Sequence, residues 1–234
     1  MAAASSNSNQ MKYSAENDGL PRDAKIGILG GGQLGRMLAI AGAPMGVRLN
    51  VLDPTEPSCP ASIAAEQTIG SFRDKAAVLE FAKDCDVVTV EIEHIDCDAL
   101  DELVKNGIDV QPTPKTLRTI QDKYAQKVHF RDNNVKIGPF MDVPDEAQLQ
   151  NAVNAFGFPL MLKSKRLAYD GRGNAVAKTA SDLDNAVKSL GGFDTGLYAE
   201  KWVPFERELA VMVARSKSGE VVAYPGVETV HADN

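Results

Sequence analysis

The chain has 234 residues, 44% hydrophobic and 24% charged, an ordinary globular balance with enough length for one large core or two small ones. Its net charge of −7 disfavours a general affinity for nucleic-acid backbone. No apolar run approaches the roughly 18 residues that a membrane span needs. Cys59, Cys85 and Cys97 are odd in number and lack metal-ligand spacing, so they read as reduced thiols of an intracellular protein.

Residues 1 to 23 are small and polar, without apolar periodicity, and read as a disordered leader. They lack the apolar core of a signal peptide and are acidic and Arg-poor for a transit peptide, which leaves cytoplasm and plastid both open. Three apolar runs then alternate with helical patterns. Ile26–Leu29 predicts a strand, and Leu34, Met37, Leu38 and Ala41 line one face of a helix. Leu49–Leu52 predicts a second strand, ended by Asp53-Pro54. Asp74 to Lys83 has helical spacing, Val87–Glu91 reads as a buried strand, and Asp98 to Lys105 as a short helix before "IDVQP". This alternation implies a parallel sheet with right-handed crossovers. From Thr113 a single long polar helix is expected to run to about Asn133.

The second half reads as α+β. Asp145–Gly157 has helical spacing, Leu160–Lys165 and Asn174–Lys178 read as strands around a glycine-rich turn, and Ser181 can cap a helix that Gly191-Gly192 stops. "LYAEKWV", "ERELAVMVAR" and "EVVAYP" read as antiparallel strands, with a turn at "SKSG".

Two regions carry chemistry. Gly30, Gly32 and Gly35 satisfy G-x-G-x-x-G, and Asp53 stands where an NAD enzyme keeps its ribose-binding acid. In the second half, alternation puts Lys163 and Lys165 on one side of a strand, and Gly171 and Gly173 flank Arg172 in a turn whose amides can meet phosphate. A plain hairpin with solvated lysines is the alternative. Glu200, and Glu208 on a face with Ala210 and Met212, are carboxylates on strands that otherwise look half-buried. A ribose would suit their acceptors, with Trp202 as an apolar wall; two rim glutamates paired with Lys201 and Arg207 is the alternative.

The segments "GGGQLGRML", "VLDP", "VEIEHID", "QDKYAQK", "LMLKSKRLAYDGRGNAVAK", "YAEKWVPFERELAVMVAR" and "YPGVETVH" occur in this order. Together, from Ile26 to Asn234, they closely resemble the ATP-grasp family of 5-(carboxyamino)imidazole ribonucleotide synthases. In plants and fungi this is the N-terminal part of phosphoribosylaminoimidazole carboxylase. The resemblance implies an α/β fold: a Rossmann-like pre-ATP-grasp domain over 24–118, then an α+β ATP-grasp domain over 119–234, incomplete at its C-terminal side.

By resemblance, Lys123 and Lys163 contact the phosphates of ATP, and the loop from Ala168 to Asn174, including Gly171 and Gly173, covers them. Glu200, Lys201, Trp202 and Val203 resemble the hinge strand whose backbone reads adenine, Glu208 the ribose ligand, and His231 a further nucleotide contact. Tyr169, Asp170 and Arg172 would stand at the junction of loop and substrate as the catalytic group. Gln33, Leu34 and Glu91 resemble residues lining the ribonucleotide site, with the helix N-terminus at the glycine turn favouring anions. Asp53 then becomes a strand-ending turn residue, and the NAD reading, which leaves the lysine strand and "YDGRG" unexplained, is rejected.

The implied reaction is carboxylation of 5-aminoimidazole ribonucleotide with bicarbonate and ATP through carboxyphosphate. The expected partners are those three small molecules, without nucleic acid or membrane; a homodimer is a further expectation. Relatives continue through strands bearing acidic Mg²⁺ ligands, a small C-terminal domain and, in plants and fungi, a mutase domain. The chain is therefore expected to be a fragment holding no metal ligand of its own. A noncatalytic nucleotide-binding or subunit-interaction module is the alternative.

Overall fold

The computed structural model describes residues 24–168 and 173–230. The expected leader and Tyr169, Asp170, Gly171, Arg172 and His231 lie outside the described residues. The chain divides into two units. One runs to Ile137 and takes in Ser164–Gly173; the other takes Gly138–Lys163 and the chain from Asn174 onward.

In the first unit, β1 (Lys25–Leu29), β2 (Arg48–Asp53), β3 (Glu66–Ile69), β4 (Val87–Val90) and β5 (Asp109–Val110) form one parallel sheet, in the order β3-β2-β1-β4-β5. Side chains alternate across a strand, so neighbouring residues of β1 and β2 enter different cores. Ile28 and Val51 pack with Ala39, Cys59 and Ala61. Leu29 and Leu52 pack with Val78, Phe81, Leu100 and Leu117 on the other side. Ala39 belongs to α1 (Gln33–Gly42); Val78 and Phe81 to α2 (Lys75–Phe81); Leu100 to α3 (Cys97–Lys105); Leu117 to α4 (Pro114–Gln121). Both faces are covered, as parallel sheets require.

Two features of this unit depart from the sequence expectation. β3 has no apolar alternation to announce it, because this edge strand keeps Glu66, Thr68 and Ile69 exposed. The long polar helix is two helices, α4 and α5 (Lys123–Asp132). Asp122 between them is extended at φ −118° and ψ 104°, and its carboxylate accepts the Ala125 amide hydrogen at 2.9 Å. An aspartate caps a new helix more readily than it continues an old one.

In the second unit, β6 (Phe140–Val143), β7 (Leu160–Ser164), β8 (Asn174–Ala177) and β9 (Leu197–Lys201) form a sheet in the order β6-β9-β7-β8. Its outer pairs, β6 with β9 and β7 with β8, are antiparallel. Leu160, Leu162, Leu197 and Ala199 meet Leu149 and Ala152 of α6 (Glu146–Phe156) and Leu183 and Val187 of α7 (Leu183–Ser189) in one core. α7 is introduced by a 3₁₀ turn over Ala180–Asp182 whose cap is Thr179, in a reciprocal box with Asp182, and not Ser181. Threonine followed three residues later by a carboxylate satisfies two orphan amides together, which a lone serine does not.

The stretch "ERELAVMVAR", expected as one strand, is two: β10 (Glu208–Ala210) and β11 (Val213–Arg215). Each has its own antiparallel partner, β13 (Val227–Thr229) for β10 and β12 (Val221–Ala223) for β11. Met212 therefore lies outside the strand that holds Glu208. Lys165 also lies beyond β7, so it does not share a strand face with Lys163.

Candidate functional site

The parallel sheet changes winding direction at β1, with β2 on one side and β4 on the other; the crevice beyond the strand ends at such a point is where α/β sheets bind ligands. The glycine turn follows β1 there, and Glu91 follows β4, its amide donating to the Leu29 carbonyl at 3.1 Å. The Glu91 carboxylate turns into the glycine loop. It accepts the Gly32 amide hydrogen at 2.9 Å and that of Gly35 as well. A Cβ on Gly30 would stand 2.7 Å from Glu91 Cγ, and one on Gly32 2.6 Å from its Oε1. The glycines that admit a pyrophosphate in dinucleotide enzymes here admit a carboxylate of the same chain, at the positive end of α1. The expectation that these amides favour an anionic ligand is corrected accordingly: their anion is Glu91.

Asp53 is buried and equally committed. Its Oδ2 accepts the Gly31 amide hydrogen at 2.8 Å and its Oδ1 that of Thr55 at 2.9 Å, the geometry of a strand-ending turn.

Of the three residues expected at the ribonucleotide, Leu34 and Glu91 line one cleft of 680 Å³, together with Arg73, Glu93, His94 and Leu167. Gln33 is exposed as the first residue of α1 and does not line that cleft. His94 stands inside the quoted "EIEH" but carried no signal of its own. Gln121 fixes it indirectly, donating from Nε2 to the carbonyls of Glu93 at 2.7 Å and Ile95 at 2.8 Å. Leu167 holds φ at +56°, a conformation that leucine adopts only at a cost of about 1–2 kcal/mol. Strained residues of this kind gather at functional sites.

The first unit also places Lys123, the opening residue of α5, half-buried, with its backbone amide donating to the Lys165 carbonyl at 2.7 Å. The Lys165 ammonium lies 5.0 Å over the Tyr124 ring. Ala168 is buried, and Gly173, at φ +78°, has room for no side chain because a Cβ would come within 2.6 Å of that of Ala168. The Ser164 amide donates to the Gly173 carbonyl at 2.9 Å, closing the base of the glycine-rich loop.

In the second unit the period of two decides what meets. Leu162 and Ala199 enter the core, so Lys163 and Glu200 fall on the opposite face of adjacent strands. Lys163 Nζ stands 3.4 Å from Glu200 Oε2, with the side chains 25% and 16% exposed. Glu200 is thus paired with a lysine, as a shielded carboxylate requires, but the partner is Lys163 and not the Lys201 of the alternative reading. Arg207 lies 3.9 Å from Glu228. Lys201, Trp202, Val203, Glu208 and Asn174 are exposed.

Among the described residues, no cluster of three or more His, Cys, Asp or Glu could hold a metal ion. No described helix is long and apolar enough to cross a membrane.

Comparison with known proteins agrees with this arrangement. Residues 23–121 match the family model of the ribonucleotide synthetase preATP-grasp domain, and residues 128–234 that of the ATP-grasp domain. The chain is 50% identical to the chloroplastic phosphoribosylaminoimidazole carboxylase of Vigna aconitifolia, over 87% of this chain but 36% of that protein. It is 42% identical to the carboxyaminoimidazole ribonucleotide synthase of Aspergillus clavatus solved with ATP, covering 90% of this chain and 55% of that one with a TM-score of 0.82. The structure of the Aspergillus enzyme with ADP and 5-aminoimidazole ribonucleotide covers 91% of this chain and 55% of that one, at 41% identity and a TM-score of 0.81. The chain therefore spans about a third of the plant relative and about half of the solved ones. With a preATP-grasp sheet whose glycine turn encloses Glu91 and an ATP-grasp segment after it, the chain belongs to the ATP-grasp family of ribonucleotide synthetases.

Proposed function

We propose that this chain provides the nucleotide- and ribonucleotide-binding portion of an ATP-dependent carboxylating ligase of purine biosynthesis. The observation that carries the reading is the 680 Å³ cleft joining Leu34 and Glu91 at the winding switch of a ribonucleotide-synthetase domain. In this reading bicarbonate attacks the γ-phosphorus of ATP, ADP leaves, and carboxyphosphate forms. The exocyclic amine of 5-aminoimidazole ribonucleotide then attacks the carboxyl carbon, loses its proton, and displaces phosphate. Such a reaction gathers anions and needs preorganised positive charge in a site that excludes water.

Lys163 supplies part of that charge in the second unit. Its ion pair with Glu200 is suited to aim the ammonium while ATP is absent and to share it when phosphate arrives. Lys123 and the Ala168–Asn174 loop would meet the phosphates, with Tyr169, Asp170 and Arg172 next to the reacting carboxyl group. Lys201, Trp202, Val203, Glu208 and His231 would hold adenosine, and Gln33, Leu34 and Glu91 the ribonucleotide. The domain boundary is placed near residue 118, and the setting is taken as cytoplasm or plastid, the latter supported by the chloroplastic relative. Magnesium, bicarbonate and a homodimer belong to the same proposal.

The test is ADP release from this chain in the presence of ATP, Mg²⁺, bicarbonate and ribonucleotide. Release that requires both bicarbonate and ribonucleotide supports the reading, and Lys163→Ala should abolish it together with ATP-dependent thermal stabilisation. ATP-dependent stabilisation without such release would make the chain a nucleotide-binding module instead.

A further inference from the structure

Beyond β4 the chain folds back in a tight turn. The Ile95 amide donates to the Glu93 carbonyl at 2.8 Å, which closes a three-residue γ-turn with His94 at its centre. Ile95 is buried in the first unit's core, and Ile92 packs against that core from the other end of the turn. Asp96 follows at once and caps α3, accepting the Asp98 amide hydrogen at 2.8 Å. His94, its side chain 11% exposed, lines the 680 Å³ cleft with Leu34 and Glu91.

One side chain spans the two ends of this turn. Gln121 Nε2 donates to the Glu93 carbonyl at 2.7 Å and to the Ile95 carbonyl at 2.8 Å. A primary amide has two such hydrogens, and both are spent here; an acceptor in their place would face two carbonyl oxygens. Gln121 lies four residues after Leu117, which is buried in the same core, so α4 presents both side chains on one face. The clamp is therefore itself anchored in packed helix.

The next two residues hold a second lining segment of the same cleft. Asp122 Oδ2 lies 3.6 Å from Arg166 Nε, and the Lys123 amide donates to the Lys165 carbonyl at 2.7 Å. Leu167 comes directly after, at φ +56°, and lines the cleft with His94. Three consecutive residues, Gln121 to Lys123, thus fix two lining segments that are far apart in sequence, all within the first unit.

We infer that Gln121 is a positioning residue for the ribonucleotide: through the γ-turn it sets where the His94 imidazole stands in the cleft. An imidazole bonds directionally through two ring nitrogens, so a small rotation of the turn removes the contact. This deepens the ligase reading and rests on it for the identity of the ligand, whereas the clamp on His94 rests on the hydrogen bonds alone. Gln121 takes no part in bond making.

The experiment compares the whole chain with Gln121→Met, which keeps the side chain's length and removes both donors, with His94→Ala, and with the double variant. The chain has three histidines, so the His94 imidazole can be followed by its Cε1–H resonance beside those of His129 and His231. Gln121→Met should displace or broaden the His94 resonance and leave the other two in place. In calorimetric titration each single variant should weaken 5-aminoimidazole ribonucleotide by about ten-fold, the scale of one lost polar contact, with ATP affinity unchanged. The double variant should bind no more weakly than His94→Ala alone, because Gln121 acts through His94; a glutamine that merely supports the fold would add its loss in full. If Gln121→Met does not fold, slowed solvent exchange of both Gln121 Nε2 hydrogens in the parent protein supports the clamp, and free exchange overturns it. An unmoved His94 resonance, a further loss of about ten-fold in the double variant, or an equal loss for ATP would overturn the assignment. A displaced His94 resonance in a chain whose parent has no affinity for the ribonucleotide would keep the clamp and remove the ligase reading. Bicarbonate-dependent ADP release with an unmoved His94 resonance would do the opposite.

Discussion

Glu91 lies 59 residues from Gly32 and 56 from Gly35 in the turn it fills, and its value lies in what it satisfies. The amides of Gly32 and Gly35 have no other acceptor within α1, so Glu91→Ala should leave both stranded and lower stability by about 1–3 kcal/mol. A urea denaturation midpoint unchanged from the parent protein would show that water replaces the carboxylate at no cost. A second residue-scale test concerns Cys85, buried beside Phe81. Burial, assisted by Asp84 and Asp86, pushes its thiol up from 9.0 to about 11. The unfolded thiol ionises first as pH rises, so this contribution to stability is complete below 9.0 and is lost as pH climbs through about 11. Cys85→Ala should flatten that alkaline decline. In the parent protein, iodoacetamide should modify Cys85 at mildly alkaline pH only after denaturant is added, because the thiolate is the reactive form.

At the scale of elements, Asp122 ends α4, caps α5 and holds Arg166, three roles for one carboxylate. Asp122→Ala should cost about 0.5–2 kcal/mol, the usual range for a lost N-cap, read as a lowered urea midpoint. Asp182 offers a pH-dependent counterpart at the start of α7. Hydrogen bonds from the Thr179 backbone and hydroxyl hold its carboxyl below the usual range. A depressed folded value stabilises the protein above the unfolded one and is lost as pH falls through the folded one. The urea-midpoint difference between the parent protein and Asp182→Asn should accordingly shrink on acidification. These same elements show what sequence carries. Strands β1, β2, β4 and β7 announce themselves because buried faces impose apolar runs, whereas β3 and the division of "ERELAVMVAR" do not, since exposed strands leave no such pattern. Lys163 and Glu200 were legible as chemistry, but their partnership required knowing that β7 and β9 are neighbours. Arg73 and His94 were illegible because nothing local in a turn or after a strand marks a residue that a distant loop will complete into a cleft.

The molecule as a whole is two units whose cores have no residue in common: Leu29, Leu52 and Leu100 with their partners in the first, Leu149, Leu162 and Leu197 with theirs in the second. The division follows the chemistry, since the cleft beside Leu34 and Glu91 is built within the first unit and the Lys163–Glu200 pair within the second. Independent cores predict separable stability. Leu100 and Leu162 are both fully buried, so truncating either to alanine should cost about 2–5 kcal/mol in its own unit. The chain contains one tryptophan, Trp202, directly after β9 in the second unit, and its fluorescence reports on that unit. Leu162→Ala should therefore move the fluorescence-detected urea transition to lower denaturant. Leu100→Ala should leave it in place while shifting part of the far-ultraviolet circular dichroism transition. A fluorescence midpoint that moved as far with Leu100→Ala as with Leu162→Ala would mean that the two units unfold as one cooperative body, and separable stability would be the wrong description of the chain.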